Sequence, residues 1–247
     1  MNRYLADLHI HSVLSPCGNS GMTPRNIILK AKEKGLSIIG ISDHNSTLQA
    51  AVVKKLGDQH GIYVLCGAEV STREDIHCLA FFRDLNFLSR FQQYIDTHLM
   101  RVQNDPADFG EQLLMDENDM VTGSLDFLLG SSLDEGIDEV EKVIHSLDGL
   151  LIPSHINRPR NSLLSQLGYI PDDLRADALE IDRKYYDPAM STKHPTTQKY
   201  TLIRNSDAHY PDSIGLSPSA MFLQKPDFEE ITMALRAQNG RRVEIDF

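Results

Sequence analysis

The sequence predicts a parallel α/β fold, closed or nearly closed into a barrel, on three observations. Apolar runs that read as strands are interleaved with amphipathic helical stretches along the chain. Most of these runs are continuous rather than alternating, as strands covered on both faces are. The 247 residues can bury a sizeable core and suit one large barrel or sandwich, or two small domains.

The elements follow in order. Apolar runs predict seven strands, over residues 4–9, 37–42, 62–67, 76–82, 150–154, 178–181 and 201–205. Between the first two, Thr23-Pro24 is an N-cap with proline at the first helical position. Ile27, Ala31 and Lys34 follow at helical spacing, and Gly35 closes the helix. Residues 134–147 carry Ile137, Val140, Val143 and Ile144 on one helical face. Asp227 and Glu230 form a capping-box variant ahead of Ile231, Ala234 and Leu235. Residues 83–149 include a polar stretch with no obvious strand. It reads as a helical excursion with a loop, either a flap over the site or a solvated helix. The expected organisation is a single domain over 1–247 interrupted by this excursion.

Composition narrows the function classes. Hydrophobic residues are 41% and charged residues 24%, as in globular chains, so a wholly disordered or fibrous chain does not fit. Asp and Glu total 35 against 24 Lys and Arg, a net charge of −11. That balance argues against binding to duplex nucleic acid or an anionic membrane, though not against a small phosphorylated substrate, because bound metal ions reverse the local field. No apolar run approaches the roughly 18 residues of a membrane span. The N-terminus has no apolar signal core, and three cysteines make no disulfide framework, so a reduced, cytoplasmic protein is expected. The sequence sets no oligomeric state.

The ten histidines are the unusual feature, and six of them fall on or beside the strands. The first strand runs into Asp7, His9 and His11, which period-2 geometry puts on one face. The second ends in Ser42-Asp43-His44-Asn45, the third in Gly67-Ala68-Glu69, the fifth in Ser154-His155, and the seventh in Ser206-Asp207-Ala208-His209. The fourth holds His77. In a parallel barrel the C-terminal strand ends meet at one face, where active sites form. A lone His-x-His pair is a weak signal, but this many imidazoles and carboxylates converging on one pocket cannot stay charged and unpaired. Divalent ions satisfy them together, and the donor set suits zinc, manganese or iron. His60, His98 and His194 read as surface residues, His145 as a helix C-terminal residue suited to the dipole, and Cys66 and Cys78 as core thiols.

Taken together, the motifs Asp-Leu-His-Ile-His-Ser at 7–12, Ser-Asp-His-Asn at 42–45, Gly-Ala-Glu-Val at 67–70 followed by His77, Ser-His at 154–155 and Ser-Asp-Ala-His at 206–209 resemble those of the PHP (polymerase and histidinol phosphatase) family. The resemblance implies a distorted (β/α)7 barrel whose two or three metal ions hydrolyse phosphoesters. Carried over by position, it implies that His9, His11, Glu69 and Asp207 hold one ion. Glu69 then bridges to a second held with His77 and His155, while His44 and His209 hold a third. Many members place another ligand of the third ion soon after the first motif. Here Cys17 stands in that stretch, either as a thiolate ligand that favours zinc or as a free thiol beside a weak third site. Asp7 and Asp43 are expected to orient ligand imidazoles.

The arrangement resembles the small stand-alone phosphoesterases, whose substrates include nucleotide bisphosphates, short oligonucleotides, histidinol phosphate and phosphotyrosine. The polymerase-linked branch is not expected, since the chain ends at Phe247 with no polymerase domain. The expected reaction is metal-dependent hydrolysis of a phosphate monoester by an activated water. Glu69 bridges the ions, His44, His209 or the third ion serves the leaving oxygen, and Arg158 and Arg160, just after His155, fork a phosphate. Arg183 and Lys184 are further anion-binding candidates unless they pair with Asp182. The alternatives are a metal hydrolase of C–N bonds, which would usually show a carboxylated lysine or a lone aspartate base, and a non-catalytic metal-binding module.

Overall fold

A computed structural model describes residues 1–245; Asp246 and Phe247, the end of the expected 1–247 domain, lie outside the described residues. The chain runs β1 (Asn2–Ile10), α1 (Pro24–Glu33), β2 (Ile38–Ile41), α2 (Ala50–His60), β3 (Tyr63–Ser71), β4 (His77–Phe82), α3 (Leu85–His98) and α4 (Pro106–Phe109). It continues β5 (Leu113–Met115), β6 (Val121–Ser124), α5 (Ile137–Ser146), β7 (Leu150–Pro153), α6 (Leu163–Gln166), β8 (Leu179–Glu180), α7 (Met190–Lys193), β9 (Leu202–Ile203), β10 (Ser219–Leu223), α8 (Phe228–Leu235) and β11 (Arg242–Glu244).

All seven expected strands form, with shifted ends. The main sheet has the order β11-β10-β1-β2-β3-β4-β7, and β8 pairs with β9 separately. The small pair fills the gap between β7 and β1: Asp177 N donates to Leu151 O, Ile156 N to Glu180 O, and Ala208 N to His9 O. The result is a distorted barrel whose ladder is not continuous around the ring.

Two expectations are corrected. The ring is not wholly parallel, because β4 runs antiparallel to both β3 and β7. That reversal sets Ser71 opposite His77, so the start of β4 lies at the same barrel face as the end of β3. The 83–149 excursion is not strand-free either: β5 and β6 form an antiparallel hairpin within it. Both strands are short and partly exposed, so they lack the apolar run that marks a buried strand.

A β-bulge decides what β1 presents to the interior. Asp7 pairs with Ile39 and Ile10 with Ile41, three residues against two, so β1 carries one extra residue. Below the bulge, Ala6 and Leu8 pack into the inner cluster with Leu65, Leu79, Phe81 and Ile152. Above it, Ile10 packs into the outer cluster beneath the helices. The face therefore changes along the strand, and Asp7 does not share the face of His9 and His11.

The inner cluster is the apolar floor of the site, and α8 closes it with Phe228, Ile231, Ala234 and Leu235. A Cβ at Gly67 would meet Ala80 O at 2.0 Å and Phe81 Cδ1 at 2.5 Å, so this close approach requires glycine. Local sequence accounts for the helix ends. Thr23 accepts from Asn26 N at the start of α1, and Asp227 from Glu230 N at the start of α8. Gly35, just beyond α1, has φ +69°.

Candidate metal centre

The ligand-type residues come from the C-terminal ends of β1, β2, β3, β7 and β9 and from the start of β4. They meet above the apolar floor. His9, His11, Glu69 and His155 are buried there, and Asp207, His44, His77 and His209 are nearly so. Two of these ends leave their strands through strained backbone, His155 at φ +30° and Asp207 at φ +48°.

His9 Nε2 lies 3.1 Å from His11 Nε2, 3.2 Å from Glu69 Oε1 and 3.2 Å from Asp207 Oδ1. His11 Nε2 lies 3.5 Å from Glu69 Oε2 and 3.2 Å from Asp207 Oδ1. Four donors on a tetrahedron with arms of about 2.0–2.1 Å would sit about 3.3–3.4 Å apart. These four residues thus have the spacing of a mononuclear cage. Glu69 also faces His44 Nδ1, His77 Nδ1 and His155 Nε2, each at 3.3 Å.

These contacts are not a conventional hydrogen-bond network. Glu69 Oε1, Asp207 Oδ1 and His44 Nδ1 are buried with no aligned hydrogen-bond partner. Leaving several such atoms orphaned in one native pocket is costly, and a cation at their centre satisfies them. The donor set thus fits divalent ions, with Glu69 positioned to be shared. In this pocket, among the described residues, three groups have ligand atoms close enough for one ion: His9, His11, Glu69 and Asp207; His44, Glu69 and His77; and His11, His44 and His209. His11 Nδ1 is committed to Ser15 Oγ at 3.0 Å, so its single free nitrogen serves only one of the two groups that contain it.

The electrostatics agree. Burial pushes the Glu69 carboxyl up, but His9 and His77 outweigh it and hold the group well below the usual carboxylate range. Burial likewise raises Asp207, while His9 and His11 bring it well below. Burial lowers His9, yet Glu69, Glu180 and Asp207 hold its proton well above the usual imidazole range. His11 is pushed down to about 4 by burial and His209.

Several sequence expectations change here. Asp7 touches no ligand imidazole; it accepts from Ser206 N, Ser206 Oγ and Gly215 N, fixing the turn that carries Asp207. The bulge is the reason. Asp43 acts through a serine, accepting from Ser12 and from Ser15 Oγ, and Ser15 in turn bonds His11. The carboxylate directly behind an imidazole is Glu180, 2.9 Å from His9 Nδ1. Its signal was available, since an acid inside the apolar 178–181 run needs a buried partner. Cys17 is exposed and joins none of the three ligand groups. The protein atoms packed beside it and the charge of Glu69 push its thiol up to about 12, which disfavours a thiolate.

Arg158 is not free to fork a phosphate. Its Nε donates to Asp182 at 2.6 Å and its Nη1 to Asp207 at 2.5 Å. Asp182 therefore pairs with Arg158 rather than with Arg183 or Lys184, and it also caps the Lys184 amide. Arg160 and Lys184 are exposed and line a cleft of about 590 Å³ beside His44, His77, His155 and His209. Arg183 does not line it. The excursion walls a neighbouring cavity through Asp108, Phe109, Gly110, Leu128 and Gly130. No helix among the described residues is long and apolar enough to cross a membrane.

A family model described as the PHP domain matches residues 7–236. The chain is 25% identical over 275 aligned residues to the uncharacterised protein YqxK of Bacillus subtilis, covering 98% of this chain and 64% of YqxK. Its fold is similar to the lesion-specific endonuclease PfuEndoQ of Pyrococcus furiosus, with TM-score 0.76 and 22% identity over 98% of this chain and 58% of that one. It is also similar to Endonuclease Q in complex with a 27-mer duplex bearing an abasic lesion at the active site, with TM-score 0.75, 22% identity and the same coverage. The chain thus spans less than two thirds of the length of these relatives. The duplex complex corrects the exclusion of duplex nucleic acid drawn from the net charge. A chain of this fold holds a duplex, and a whole-chain charge sum says little about one cleft lined by ligand-type residues.

Proposed function

The chain belongs to the PHP domain family, and from that premise we propose that it hydrolyses phosphate monoesters with two or three divalent ions, of zinc, manganese or iron. One observation carries the reading: the cage of His9, His11, Glu69 and Asp207, in which the buried Glu69 Oε1 and Asp207 Oδ1 lack aligned hydrogen-bond partners. When bound, the ions supply positive charge for the phosphoryl oxygens and a water acidic enough to lose its proton near neutral pH.

The chain's own residues do the rest. Glu180 fixes the tautomer of His9 and leaves Nε2 for ligation. Glu69 ties the two halves of the centre together. Arg160 and Lys184, exposed at the cleft, attract and orient the anionic ester. His209 donates from Nδ1 to Asp207 O at 2.9 Å, which leaves Nε2 for the ligand group it forms with His11 and His44. The apolar floor keeps the local dielectric low, which strengthens these interactions.

The C–N alternative has less support, because the only lysine lining the cleft, among the described residues, is the exposed Lys184. The test is elemental analysis of protein purified without chelator, followed by assays on 4-nitrophenyl phosphate, bis(4-nitrophenyl) phosphate and an amide panel. Metal content of two or three ions with monoester turnover is expected. Turnover of the diester alone would replace the monoester reading with a nuclease-like one. Amide turnover alone would replace both, and less than one ion per chain after adding manganese or zinc would overturn the metal centre.

A further inference from the structure

The ligand cluster opens on two sides of unlike chemistry. One side carries Arg158, Arg160, Lys184 and Tyr185. The other is a cavity of about 580 Å³ walled by Pro16, Cys17, Phe109, Leu128 and Gly130, and it shares His44, His77 and Asn161 with the first. Among the described residues no lysine or arginine lines this second lobe, and its acid outside the ligand cluster is Asp108.

Phe109 is 47% exposed, a large ring left in water at the edge of a polar site. The backbone beneath it is held in place. Asp105 Oδ1 accepts from Ala107 N, and Asn104 Nδ2 donates to Gly110 O. Gly110 has φ +87°, and a Cβ there would meet Pro16 O at 2.6 Å, so this segment sits tightly on the loop that follows His11. The opposite wall is tied to the neighbouring ligand turn, where Asn45 Nδ2 donates to Leu129 O at 2.8 Å and to Ser131 O at 2.7 Å. Both walls are therefore fixed to turns that carry metal-ligand candidates, and the lobe is preformed.

We propose that this lobe holds a flat, uncharged ring in the organic part of the ester, with Phe109 as the residue that sets this specificity. The inference rests on the phosphoester reading above. A second phosphate has no cation to meet it here and is repelled by Asp108, whereas an aromatic group gains stacking and apolar burial. The cationic lobe takes charge and the Phe109 lobe takes the ring, with the phosphoryl group at the ligands between them.

The test compares 1-naphthyl phosphate with glycerol 2-phosphate on manganese-loaded protein, by calorimetric binding and by kcat/KM. Phe109→Ala should lower both quantities for the naphthyl ester about 10-fold more than for the glycerol ester. Phe109→Tyr should keep the wild-type selectivity, and metal content and Tm should be unaltered in both variants. Equal losses on the two esters, or none, overturn the lobe. Phe109-dependent naphthyl binding without turnover of any ester overturns the phosphoester reading and leaves the lobe standing. Turnover whose selectivity ignores Phe109 does the reverse, and a wild-type protein that neither binds nor cleaves the naphthyl ester overturns both.

Discussion

Removing the Glu180 carboxylate should weaken metal binding although Glu180 belongs to none of the candidate ligand groups. Both its oxygens face His9 Nδ1, at 2.9 and 3.2 Å, and its side chain is only 2% exposed, so solvent screens the pair little. The bond holds the imidazole with Nδ1 protonated and Nε2 free, and that Nε2 is one corner of the cage with His11, Glu69 and Asp207. Losing such a supporting partner typically costs about 10- to 100-fold in metal affinity, which is expected for Glu180→Ala. Glu180→Gln keeps an acceptor and loses the charge. The difference between a charge-assisted and a neutral hydrogen bond is about 1 kcal/mol, or roughly five-fold. Protons compete for the same Nε2, so affinity should rise with pH and binding should release protons. Glu180 is one of three carboxylates that hold His9 above the usual range. Without its charge, His9 gives up its proton at lower pH, and the pH midpoint for metal binding should move downward even as the plateau affinity falls. Chelator-competition titrations of the wild type and both variants from pH 5 to 9 measure both effects. Wild-type affinity and midpoint in both variants would refute the role of Glu180.

Glu69→Ala should abolish turnover and lower metal content, because this carboxylate is within 3.5 Å of five imidazoles. Its loss should exceed the roughly 100-fold typical of a supporting residue. His209→Ala should remove at most one ion and leave partial activity, and elemental analysis with kinetics separates the two outcomes. Arg160→Ala should raise KM by about 10-fold with kcat and metal content kept, as an exposed anion-gripping side chain requires. Arg158→Ala should instead lower kcat and metal retention, because Asp207 and Asp182 lose their shared partner. Matching KM-only effects in both variants would show that the salt bridges do not set the role of Arg158.

The candidate ligand set was legible because its donors are short-range events in sequence. His9-x-His11 and Asp207-x-His209 lie on or beside strands, and the apolar runs reveal where those strands are. The helix starts at Pro24 and Phe228 were legible for a similar reason, since Thr23 and Asp227 cap their own chain three residues on. What depended on pairing between distant segments was not legible. The bulge in β1 arises from its register against β2, and it separates Asp7 from the histidines two and four residues later. The reversal of β4 brings His77 to the mouth, although the run itself carries no mark of direction. Arg158 looked free beside His155 until the fold brought Asp182 and Asp207 to it from 24 and 49 residues away. Glu180 reaches His9 across 171 residues. Residue types and local spacing are written in the chain, whereas which polar group neutralises which is settled only when low-dielectric packing forces each buried charge to find a partner.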